Sequence, residues 1–80
     1  MNSNRSITLK HLLINNRKCI GLQFNTNKVV QALVDSLPNV CWSKEFGMYY
    51  IPNNKNNLEL VFKTFRGVAW VNGNYFLPNA

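Results

Sequence analysis

The side chains in this chain that could do chemistry are one histidine, three acids, two cysteines and three tyrosines. Nucleophilic or acid–base catalysis needs a nucleophile, a base and an orienting group that converge. Here Asp35, Glu45 and Glu59 are dispersed, and no serine or cysteine stands at a recognisable spacing from a base. The pattern therefore predicts a protein that is not an enzyme, with no catalytic residues, no cofactor, no metal and no small-molecule substrate. Cys19 and Cys41 lie in apolar, strand-like runs without a Cys or His at metal-ligand spacing, so both read as buried free thiols rather than a disulfide or a zinc site.

What remains is binding, and charge says to what. Nine Lys and Arg face three acids, a formal +6 with a pI near 9.8, which favours a polyanionic partner; nucleic acid comes ahead of a membrane surface. Residues 1–34 hold Arg5, Lys10, Arg17, Lys18 and Lys28 and no acid, a local +5, while the remainder nets +1. A solvated surface that keeps a small domain soluble is the plain alternative. His11, beside Lys10, reads either as a partly exposed strand histidine or as a phosphate or base contact. Tyr49 and Tyr50 are adjacent in a strand-like run, so they point to opposite faces, and the outer one could stack on a base or bond a phosphate.

Eighty residues allow one core, and 46% apolar against 15% charged residues is enough to pack it. No apolar run approaches the roughly 20 residues of a membrane span, and the opening Met-Asn-Ser-Asn-Arg-Ser leads into no signal-peptide stretch, so a cytoplasmic location is expected. Residues 1–6 read as a disordered start and 7–77 as a single small domain.

The elements that must position these groups follow from periodicity. Residues 7–14 and 19–24 alternate as strands, joined by a polar turn Asn15-Asn16-Arg17-Lys18. Asn25 to Asn27 offer caps, and Val29, Val30, Leu33, Val34 and Leu37 recur at helical spacing until Pro38, which places a helix near 27–37. Residues 40–44 and 48–51 form a second hairpin across Glu45-Phe46-Gly47, with Gly47 expected at positive φ. Asn53-Asn54 then caps a helix near 56–66, closed by Gly67, and 68–71 is a last strand. The order ββαββαβ predicts an α+β fold, one mostly antiparallel sheet with two helices on one face. Its inner part is compatible both with a ferredoxin-like order and with two stacked ββα units.

An internal repeat at an offset of 28 residues supports the two-unit reading. It sets Leu33 over Val61, Leu37 over Phe65 and Trp42 over Trp70. The equivalence predicts Trp42 and Trp70 as twin core anchors, each costing about 3 to 5 kcal/mol when cut to alanine. Arg66-Gly67-Val68-Ala69-Trp70-Val71 approaches the strand signature of RNA-recognition motifs, but Val68 is out of place and the final aromatic is missing, so it reads as a helix stop followed by a core strand.

An ordered string of small motifs adds a family likeness. Leu9-Lys10-His11-Leu12-Leu13-Ile14, Ile20-Gly21-Leu22-Gln23-Phe24, Leu37-Pro38, Trp42-Ser43, Gly47-Met48-Tyr49-Tyr50-Ile51-Pro52-Asn53, Asn57-Leu58 and Gly67-Val68-Ala69-Trp70-Val71-Asn72 run through about residues 7–76. Together they resemble the N-terminal region of Bacteroidetes-type tyrosine recombinases, the phage-integrase family. That resemblance implies an accessory, arm-type DNA-binding module ahead of a helical core-binding domain and a catalytic domain. The family's catalytic Arg, Lys, His-x-x-Arg box and nucleophilic Tyr have no counterpart, because Leu12, Leu13 and Ile14 follow His11. The stretch 30–62 also resembles the HARP-type module of DNA-remodelling helicases. The expectation is a non-catalytic module of a longer recombinase that contacts double-stranded DNA through Lys10, His11, Arg17, Lys18, Lys44 and Tyr49. The rival is a protein–protein module that positions recombinase subunits.

Overall fold

The first hairpin shows how closely the backbone obeys the sequence. In the computed structural model, which describes residues 5–73, β1 (Ser6–Ile14) and β2 (Arg17–Phe24) are joined by Asn15 and Asn16 alone. Both asparagines have positive φ, 53° and 66°, as a two-residue turn that follows the twist of the strands requires. The turn is thus shorter than expected. Arg17 and Lys18 are strand residues facing Ile14 and Leu13 across the ladder. Strand β1 includes Ser6, the last residue of the expected disordered start; residues 1–4 and 74–77 of the expected segments lie outside the described residues.

Helix α1 (Lys28–Asp35) begins where Asn27 Oδ1 accepts the N–H groups of Val29 and Val30, at 3.0 Å each. With two orphan donors satisfied by one side chain, Asn27→Ala is expected to lower stability by about 1 to 2 kcal/mol, measured by urea unfolding. A second hairpin follows, β3 (Cys41–Ser43) and β4 (Met48–Pro52), with Gly47 at φ +67°. Helix α2 (Lys55–Phe65) is capped by Asn54, and Gly67 at φ +78° ends it, a conformation an L side chain rarely adopts. Strand β5 (Trp70–Asn72) completes the order ββαββαβ.

The five strands form one mixed sheet in the order β3-β4-β2-β1-β5, antiparallel throughout except where β5 runs parallel to β1. Without β1, the strands would stand in the ferredoxin-like order; β1 is wedged between β2 and β5. Register and alternation then divide the side chains. Ile7, Leu9, Ile20, Leu22 and Ile51 share one face, and Val30 and Val34 of α1, Leu37 just beyond it, and Val61 and Phe65 of α2 pack on it as the core. The two helices lie on one face, as expected.

The tryptophans overturn the expectation of twin anchors. Trp42 is 55% exposed and Trp70 74% exposed. The repeat puts them on β3 and β5, which are the two edges of the sheet, each three residues long with a single neighbour. There they also face opposite ways. Trp42 is opposite Tyr49 on the helix side, and Trp70 is next to Val71, whose partner is the core residue Ile7. The repeat holds instead around the helix ends, where the equivalent Leu37, just past α1, and Phe65, the last residue of α2, are both buried.

Candidate nucleic-acid interface

Among the described residues no element covers the sheet face opposite the helices. Alternation places Thr8, Lys10, Leu12 and Ile14 of β1, Arg17, Cys19, Gly21 and Gln23 of β2, Met48 and Tyr50 of β4, and Trp70 of β5 on it. At its centre Gly21 permits a close approach. A Cβ there would lie 2.8 Å from Leu12 Cδ1 and from Met48 Sδ, so these two side chains close over a bare stretch of backbone. The result is a low apolar middle with Lys10, Arg17, Tyr50 and Trp70 around it.

Charge is segregated by layer. The strands carry Lys10, Arg17 and Lys18 and no acid, a net +3. The helices carry Lys28, Lys55 and Lys63 against Asp35 and Glu59, a net +1, and Glu45 is in the β3–β4 turn. No aspartate or glutamate therefore stands on the sheet.

Of the six sequence-predicted contact residues, four are on the β1–β2 hairpin, two on each face. Lys10 and Arg17 are on the outer face, and His11 and Lys18 are exposed on the other side of the same hairpin. His11 pairs with Ile20 across the ladder and has interactions of its own. Lys44 does not join them. Its turn follows Ser43, which pairs with Met48 at the end of the sheet near Phe24, whereas Arg17 and Lys18 are at the other end, about 20 Å away by strand rise. Tyr49 is not an outer-face residue. It is half-buried on the helix side, stacked on Phe24 with ring centres 6.4 Å apart, and its hydroxyl accepts the Gln31 amide N–H at 3.0 Å.

Of the two adjacent tyrosines the outer one is Tyr50, not Tyr49, and Trp70, expected in the core, is the other aromatic residue on the outer face. The signal was the alternation itself, since Ile51 and Val71 face the core and their predecessors must face away. Partial burial, and then the neighbouring Cys41 thiol, hold the Tyr50 hydroxyl above its ordinary range.

The cysteines separate as well. Cys19 is buried, and burial raises its thiol, whereas Cys41, expected inside, is exposed on the edge strand β3. A thiol reagent at neutral pH is expected to label Cys41 rapidly and Cys19 only after unfolding, read as one and then two adducts by mass spectrometry.

No protein-family model, no curated protein and no solved structure matches this chain. No helix among the described residues is long and apolar enough to cross a membrane.

Proposed function

We propose that this chain is a non-catalytic module that binds double-stranded DNA through its uncovered sheet face and the β1–β2 hairpin. The observation that carries the reading is an outer sheet face bearing Lys10, Arg17, Tyr50 and Trp70 with no carboxylate on any strand. Lysine and arginine neutralise phosphates and fix the register of the domain on the duplex, and the hydroxyl and ring groups between them are the side chains placed to meet sugars and bases. The motif resemblance to tyrosine recombinases supports an accessory, arm-type role of this module within such an enzyme, in the cytoplasm.

A specific observation favours the rival. Leu13 is 60% exposed near the hairpin tip, an apolar side chain suited to contact with another recombinase subunit. Chemical-shift mapping with a short duplex at low salt separates the two. Shifts confined to the outer face and hairpin support DNA contact. Concentration-dependent self-association, with no shift on adding DNA, supports subunit contact.

A further inference from the structure

The helix-side layer holds a second feature that the duplex-facing sheet does not use. An open pocket of about 460 Å³ lies between α1 and the β3–β4 hairpin. Its wall is aromatic and held in place. Tyr49 stacks on Phe24, Trp42 meets Tyr49 edge-on with ring centres 4.9 Å apart and planes at 70°, and the Trp42 indole remains 55% exposed. Gln31 sets the polar side, donating from one amide nitrogen to both the Tyr49 hydroxyl and Asp35 Oδ1 at 3.0 Å. That leaves the Gln31 carbonyl and the second Asp35 oxygen as acceptors. Lys28 also lines the pocket.

The geometry points to a binding site for an unpaired nucleobase bearing an exocyclic amino group, stacked on the exposed Trp42 indole with the Tyr49–Phe24 pair beside it. Asp35 and Gln31 accept the two hydrogens of the amino group, and Lys28 meets the attached phosphate. An aromatic wall alone would suit any flat apolar group. Acceptors beside it select a donor edge, which guanine, adenine and cytosine carry and uracil lacks at that position. A cationic guest, which aromatic walls and the Asp35 carboxylate also attract, is opposed by Lys28 and by the chain's net +6, which favour an anionic nucleotide whose phosphate lies toward Lys28. This site belongs to the layer opposite the duplex-facing sheet, so its failure leaves that reading standing.

The test is NMR titration of the 80-residue protein with GMP, AMP, CMP and UMP, and then with single-stranded tetranucleotides. The Trp42 indole N–H and the Gln31 side-chain amide are expected to move with the three amino-bearing nucleotides at millimolar concentration, and UMP to bind several-fold more weakly. Trp42→Ala should weaken binding roughly tenfold and Trp42→Phe less, as loss of one stacking partner implies. Both variants alter an exposed edge residue and should keep the native spectrum. Asp35→Asn should erase the preference over UMP while stacking persists. Tetranucleotides that bind well above the mononucleotides identify a strand as the source of the base, and equal binding identifies a free nucleotide. Either result sustains the site. No shift with any nucleotide, equal binding of UMP, or tighter binding of choline or free indole would overturn it.

Discussion

Replacing Phe65 by alanine is expected to lower stability by about 3 to 5 kcal/mol, and replacing Trp70 by alanine by less than about 1 kcal/mol. Phe65 closes α2 wholly buried within the core cluster, so truncation leaves a cavity that surrounding core residues refill only in part. Trp70, though larger, is on an edge strand with most of its surface already in water. A chain of this length holds roughly 4 to 12 kcal/mol in total, so the first variant should sit near the edge of folding and the second should melt close to the parent. Urea unfolding of the two variants decides it. Equal losses would mean that Trp70 finds a partner in solution that its position at the sheet edge does not supply.

Binding supplies the second large effect. Phosphate-dominated association of a small module falls at roughly 10⁻⁴ to 10⁻⁶ M at physiological salt and weakens steeply as salt rises. Arg17→Ala with Lys18→Ala removes two cations at the acid-free hairpin, whereas Lys63→Ala with Arg66→Ala removes two from the end of α2, on the layer that also carries Asp35 and Glu59. The first pair should weaken duplex binding about tenfold or more and flatten the slope of log affinity against log salt by about 2, one for each phosphate contact. The second pair should change little. Fluorescence anisotropy with a labelled duplex at three salt concentrations reads both quantities. Identical losses in the two double variants would show that net charge alone drives association, and the subunit-contact reading would then replace DNA contact.

Much of the fold is written in local patterns. Asn27 and Asn54 announce the helix starts, Pro38 and Gly67 their ends, and two-residue alternation marks the strands, because each of these depends on a few neighbouring residues. Which strand lies at an edge does not. Trp42 and Trp70 share a repeat position, yet their burial depends on the order β3-β4-β2-β1-β5, set by pairings between distant segments. The same limit explains the site. Arg17, Lys18 and Lys10 are neighbours through one hairpin and were legible as a group, whereas Lys44 required knowing which end of β4 its turn joins. Choosing between Tyr49 and Tyr50 required the pairing of Ile51 with Ile20, which fixes the phase of β4 against the core.

The parallel pairing of β5 with β1 also sets an order of events. Ser6 pairs with Trp70, 64 positions later, while Ile14 pairs with Arg17 across two residues. Loop-closure entropy makes the hairpin the cheap early contact and the β1–β5 ladder the late one. That ladder holds only three residue pairs, beside a β1–β2 ladder of eight. The last strand to dock is then the one expected to detach at the least cost, which would leave a four-stranded sheet. In that state the backbone of Ser6 to Thr8 is an unoccupied template, which the same chain or a neighbouring one could recruit.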